Sequence, residues 1–251
     1  MNEQRKLDNK VTVITIGGSG IGLAAARLFH QHGAQLVLAG QDEAKLDAAA
    51  ELLGGPVRFV ACDLSTSTGV DRLIDAVEDR FGFIDVLLVD AGTVRAPEPC
   101  DVDDAAFDEY INVHLKSAFF TVTRARDLLN DNASVILTAA AYQCGGHGTP
   151  LHMLTRAALT GLARSLAADT ELLARGIRVN SLSPGSLRTP SVMCEDPAAR
   201  QAMDARVTAT VPMRRLGTTE EAARAALYLA GPDSSCTTGS DLPVDGGLAR
   251  L

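Results

Sequence analysis

The chain has 251 residues and a formal net charge of −8, with 46% hydrophobic and 22% charged residues, the composition of an ordinary globular protein. The acidic balance repels a phosphate backbone and no Lys/Arg-rich stretch offsets it, so nucleic acid is not an expected partner. Residues 1–10 lack the apolar core of a signal peptide and no 18-residue apolar run follows, so the expectation is a cytoplasmic protein without a membrane span.

Residues 11–16 (VTVITI) read as a strand, followed by a glycine-rich turn and an Ala/Leu-rich helix to His32. Residues 35–39 make a second strand, 43–53 a helix and 57–62 a third strand. Val70, Leu73, Ile74, Val77 and Phe81 recur at helical spacing before a fourth strand at 86–89. A strand is expected at 134–138, and one long helix from Leu151 to Arg175 with Gly176 as its left-handed cap. Residues 178–182 form the sixth strand, and 184–209 read as an irregular flap over the cleft. Strands alternating with helices specify an α/β fold: one doubly wound parallel sheet in a single Rossmann-type domain over residues 1–251, with ligands at the carboxyl ends of the strands.

Five cysteines, Cys62, Cys100, Cys144, Cys194 and Cys236, are scattered with neither a Cys-x-x-Cys pair nor a histidine at metal-ligand spacing. Free thiols and no metal are expected. Cys144 lies near the candidate site and is read as a packing residue rather than a nucleophile.

The ordered series of motifs resembles the short-chain dehydrogenase/reductase family along nearly the whole chain. Thr15 to Gly22 is similar to its T-G-x-x-x-G-I-G turn, Cys62-Asp63-Leu64 to its adenine-contacting segment, and Val89-Asp90-Ala91-Gly92 stands where N-N-A-G is usual. Pro184-Gly185, Arg188-Thr189-Pro190 and Val244-Asp-Gly-Gly247 follow in register. The resemblance implies a nicotinamide dinucleotide held by Thr15, Gly17, Gly18, Gly20, Ile21, Gly22, Gln41, Asp63, Ala91, Gly92, Pro184, Gly185 and Thr189. It also registers the catalytic positions. His152 replaces the family's tyrosine, Arg156 its lysine, Ala140 its serine, with Thr138 and Tyr142 as flanking hydroxyls, and His114 its asparagine; Asn112 comes two residues early.

These replacements matter chemically. Arginine neither titrates usefully nor matches the point charge of lysine, while neutral histidine can act as an acid/base or hydrogen-bonding group. Ile16 stands where the turn calls for glycine, and a β-branched residue resists positive φ. Gln41 offers no charge to a 2′-phosphate, and Asp42 reaches a ribose hydroxyl only if its loop bends. NAD(P) binding is therefore expected to be weak or absent. The leading expectation is a non-redox enzyme acting on a small molecule by cyclisation, isomerisation or elimination, with His152, Arg156 and His114 lining its pocket. The alternatives are an NAD(P)-dependent oxidoreductase with a remodelled site and a non-catalytic subunit paired with an active relative. A homo-oligomer, dimer or tetramer, is expected through the helices near 103–129 and 151–175, where Ala157, Ala158 and Gly161 permit close helix contact.

Overall fold

The β-branched run near the start forms strand β1 (Val11–Thr15), buried along its whole length, as a central parallel strand covered on both faces must be. Helix α1 (Gly20–Gln31), β2 (Gln35–Gly40), α2 (Glu43–Leu53), β3 (Arg58–Ala61), α3 (Ser67–Phe81) and β4 (Ile84–Val89) follow. Next come α4 (Asp104–Ile111), a π-helical turn (Asn112–Lys116), α5 (Ser117–Ala125) and β5 (Leu129–Thr138). Then α6 (Pro150–Ala167), α7 (Thr170–Ala174), β6 (Arg178–Pro184), β7 (Leu187–Arg188), α8 (Pro197–Thr210), β8 (Gly217–Thr218), α9 (Thr219–Ala230) and β9 (Asp241–Val244) complete the chain. The computed structural model describes residues 5–55, 57–90, 101–139, 150–188 and 197–248.

Seven strands pair in parallel in the order β3-β2-β1-β4-β5-β6-β9, and β7 pairs with β8 apart from them. Side chains of successive strand residues leave opposite faces, which divides the core in two. Val13, Val37, Leu87, Val135 and Val179 pack on one face against α3, α5 and α6. Ile14, Leu38, Val86, Leu88 and Ile136 pack on the other against α1 and α9. Strand order reverses between β1 and β4, and at such a switch point the loops diverge and leave a crevice for a ligand. Among the described residues no helix is long and apolar enough to cross a membrane.

Three expectations need correction. The single helix from Leu151 to Arg175 is two, because the Asp169 carboxylate caps α7 by accepting from the Glu171 and Leu172 amides at 3.0 and 3.1 Å and is held there by a bidentate Arg126 at 2.8 and 2.9 Å. An aspartate offered such a cap competes with continued helix. The helix expected over 103–129 is interrupted by the π-helical turn, whose extra residue re-aims the side chains that follow. The stretch expected to be irregular from 184 to 209 contains β7 and the helix α8.

Strand β9 and helix α9 were not expected at all. A short edge strand carrying Asp241 and Pro243 has neither the apolar run nor the alternation of a strand, whereas α9 announces itself by a capping box, Thr218 with Glu221. The Arg215 guanidinium and the Thr218 amide hold the Glu221 carboxyl down at about 2 against an ordinary 4.5. A depressed carboxyl stabilises the fold above its unfolded value and loses that contribution as pH falls towards its folded value. Thermal melts of Glu221→Gln should therefore show a shallower acid slope than the parent between about pH 4.5 and 2, and parallel slopes would show that the pair is screened.

Candidate active site

At the switch point β1 and β4 are clamped by Thr15, whose hydroxyl accepts from the Asp90 amide at 2.7 Å and donates to the Asp90 carbonyl at 2.9 Å. Thr138, at the end of β5, donates to the Asp90 carboxylate at 2.5 Å. That bond ties the Thr138 hydroxyl to β4.

The turn after β1 runs through Ile16 at φ +52°, the left-handed region that a β-branched residue enters at a cost of about 1–3 kcal/mol. The turn tightens further because a side chain at Gly22 would collide with the Ile16 carbonyl, so Gly22 brings α1 onto β1. Gly17 is fixed by its amide to Ala39 at 3.2 Å, Gly20 takes φ +54°, and Ser19 occupies the N-cap of α1 without a side-chain cap bond. Gly17, Gly18, Gly20, Ile21 and Gly22 thus lie together at the amino end of α1, where a helix presents N–H groups to an anion.

Asp63 and Gln41 meet at the ends of β2 and β3. Burial raises the Asp63 carboxyl, but the Ser65 hydroxyl, the Gln41 amide and the Ser65 N–H outweigh it and hold the group below its usual range. Asp42 instead caps α2 through the Lys45 amide at 3.1 Å and pairs with the Lys45 ammonium at 2.7 Å. At the end of β6, Pro184 lies opposite Val244. Gly185 follows with its amide on the Val244 carbonyl at 3.0 Å, and a Cβ there would come within 2.5 Å of Asp245. Ala91, Gly92, Ala140, Tyr142, Cys144 and Thr189 lie outside the described residues.

The two candidate histidines come together around a residue that the sequence did not single out. His152, in the first turn of α6 and 4% exposed, has Nδ1 3.1 Å from the hydroxyl of Tyr110. Tyr110, 1% exposed near the end of α4, lies with its ring centroid 4.1 Å from that of His114 in the π-helical turn. The spacing of four from Tyr110 to His114 puts both rings on one side of the helix, and that spacing was the available signal. Leu151, Val102 and Ile111 pack on Tyr110 as an apolar wall. Burial pushes the phenol up, and a hydrogen bond with Thr155 opposes it more weakly, so Tyr110 keeps its proton at neutral pH.

Arg156 is turned to the sheet. Its guanidinium lies 3.6 Å from the Asp241 carboxylate, which also accepts from Ser181 at 2.8 Å and Ser183 at 2.6 Å. The cation thus has a partner at the β6–β9 edge, which sequence spacing could not reveal.

Comparison with known proteins agrees with this architecture. A family model described as "Enoyl-(Acyl carrier protein) reductase" matches residues 16–249. An oxidoreductase of Sarocladium schorii, asL5, is 34% identical over 100% of both chains. The (+)-cis,cis-nepetalactol synthase NEPS3 of Nepeta racemosa is 32% identical over 98% of this chain and 93% of its own. The crystal structure of L-sorbose reductase from Gluconobacter frateurii, complexed with NADPH and L-sorbose, superposes with a TM-score of 0.87 at 28% identity over 99% of each chain.

Proposed function

The chain belongs to the short-chain dehydrogenase/reductase family, and from that premise we propose that it is a non-redox enzyme that isomerises or cyclises a small, largely apolar carbonyl compound by acid–base chemistry at His152. The observation that carries this reading is the buried pair of His152 and Tyr110 stacked against His114. An imidazole can remove a proton beside a carbonyl and return it at another atom, with no net oxidation. The apolar wall of Leu151, Val102 and Ile111 suits a ligand with little polar surface and keeps water from the reacting proton. A relative named as a nepetalactol synthase supports such chemistry on this scaffold.

On this reading the residues present do not fit a nicotinamide dinucleotide. Ile16 fills the turn that its pyrophosphate would approach, Gln41 offers no charge to a 2′-phosphate, and Arg156, in the place of the ribose-holding lysine, is drawn to Asp241. Ile16→Gly tests this. It relieves about 1–2 kcal/mol of left-handed strain and adds about 0.5–1 kcal/mol of glycine entropy. The expected net is a stabilisation of about 1 kcal/mol, a rise of about 2–4 °C in Tm. NADPH affinity by calorimetry should tighten by about tenfold, from a weak or undetectable start. A low-micromolar Kd for NADPH in the unaltered chain would instead restore the oxidoreductase reading, which the NADPH-complexed sorbose reductase favours.

Assembly of the chain with itself is part of the same proposal. Leu115, Phe119, Phe120, Ala158, Gly161 and Leu162 line an apolar groove of about 480 Å³ between α5 and α6, and Phe119 is 44% exposed, surface that a second copy would cover. A Cβ at Gly161 meets nothing within 4 Å, so Gly161→Arg leaves the fold intact and places a charge in the groove. Light scattering should show a dimer or tetramer for the parent and a monomer for the variant. A monomeric parent would contradict the proposal, and a complex formed only with a co-expressed relative would favour the partner-subunit reading.

A further inference from the structure

A second cavity shares none of the residues described around His152. It encloses about 610 Å³ between β7, α8 and the turn before β8, and Arg188, Gln201, Asp204, Ala205, Thr208 and Arg214 line it. That is the volume of a small-molecule site. Val207 on α8 and Val211 just past its end are buried with Leu248 in an apolar cluster on which Leu216 packs. Positions 201, 204, 205 and 208 recur at helical spacing on an adjacent face of α8. Anchoring the apolar residues therefore turns these four to the cavity.

Arg214 supplies a second observation. Its backbone is left-handed, at φ +55°, a conformation that side chains other than asparagine, aspartate and histidine seldom adopt. The turn that imposes it is held by the Arg214 amide on the Val211 carbonyl at 2.9 Å and by the Met213 amide on the Gly246 carbonyl at 3.1 Å. Glycine would sit there without strain. The arginine instead reaches back with one N–H to the Ala209 carbonyl at the end of α8, at 2.6 Å. Among the described residues no carboxylate pairs with its guanidinium, whereas Arg188 has Asp204 at 3.2 Å. The rest of the Arg214 fork is left to donate into the cavity.

We propose that this cavity binds a small carboxylic acid as its monoanion, the carboxylate gripped by Arg214, with Arg188 as a second cation and Gln201 and Thr208 as hydrogen-bonding partners. A guanidinium matches a carboxylate with two parallel N–H bonds, which an ammonium cannot do. Charge selects the monoanion. Two arginines and one aspartate leave a single net positive charge on the lining, and the Asp204 carboxylate repels the second negative charge that a phosphate brings. Ala205 and the arginine stems offer apolar surface to the body of the acid. The site stands whatever reaction His152 performs.

Calorimetry with 2-naphthoate tests it, with 2-naphthamide as the uncharged analogue and 2-naphthyl phosphate as the dianion. The parent should bind the carboxylate with a Kd of about 0.1–1 mM, weakening as salt is raised. The amide should bind about tenfold more weakly, and the phosphate more weakly than the carboxylate. Arg214→Gly removes the fork and relieves the left-handed backbone, so affinity should fall about tenfold while Tm holds. Arg214→Lys keeps the charge without the fork and should fall in between. Arg188→Gln should weaken binding about threefold. Asp204→Asn removes the repelling charge, so 2-naphthoate should bind about threefold more tightly; a role for Asp204 confined to holding α8 in place predicts the opposite sign. Equal affinity for acid and amide, tighter binding of the phosphate, a Kd unchanged in Arg214→Gly, or no saturable binding by the parent up to about 10 mM overturns the proposal.

Discussion

Replacing His152 by alanine should lower turnover by about 10²–10⁴-fold, the range by which a positioned acid/base side chain accelerates proton transfer. The measurement is dinucleotide-free conversion of a panel of unsaturated aldehydes and ketones to products of unchanged mass, with the parent and variant compared on the same compounds. The size of the effect follows from position. His152 is buried among Tyr110, Leu151 and Thr155, and no bulk water takes over its proton transfer as it would at an exposed site. His114 gives a graded control. Its ring packs on that of Tyr110, so His114→Ala should cost less than His152→Ala. Equal rates in parent and His152→Ala would remove this residue from the chemistry. Product formation that requires NADPH and changes mass by two hydrogens would return the enzyme to hydride transfer.

The largest loss of stability is expected far from this pocket, at Asp85 near the amino end of β4. Its carboxylate is 6% exposed and accepts from the Val11 amide at 2.9 Å, the Lys10 ammonium at 3.0 Å and the Asn130 amide at 3.2 Å. One side chain therefore ties β1, β4 and the start of β5 together. Lys10 is half exposed, and solvent screens that pair to a fraction of a kcal/mol. The Val11 donor dominates, because alanine leaves that buried amide without its acceptor at about 1–3 kcal/mol, whereas Asn130 is exposed and its amide turns to water. Asp85→Ala should destabilise by about 2 kcal/mol, lowering Tm by roughly 4–8 °C, with an unchanged denaturant m-value because the unfolded surface is the same. Asp85→Asn, which keeps an oxygen for the Val11 amide, should lose about half as much. A loss below about 1 kcal/mol for the alanine variant would show that water replaces the carboxylate.

These two residues illustrate how far the sequence could be read. The strands β1, β2 and β4 were legible because a parallel strand covered on both faces needs an unbroken β-branched and apolar run, and VTVIT, QLVLAG and IDVLLV supply it. The glycine turn was legible because its spacing reflects local backbone conformation, and Ile16 does take the positive φ that spacing demanded. The break between α6 and α7 escaped, since the apolar period continues through Asp169 and only the long-range clamp of Arg126 fixes that carboxylate as a cap. Strand β9 escaped because its pairing with β6, not its own composition, makes it a strand.

The sequence by itself determined the alternation of strands and helices and with it a doubly wound parallel sheet, because that pattern is written in local periodicity. Only the tertiary structure decided what the candidate side chains touch. Tyr110 and His152 are 42 residues apart, Arg156 finds Asp241 across the sheet edge, and Thr138 spends its hydroxyl on Asp90 of the neighbouring strand. A side chain's partner across the fold depends on how helices pack onto strands, and no sequence period encodes that distance.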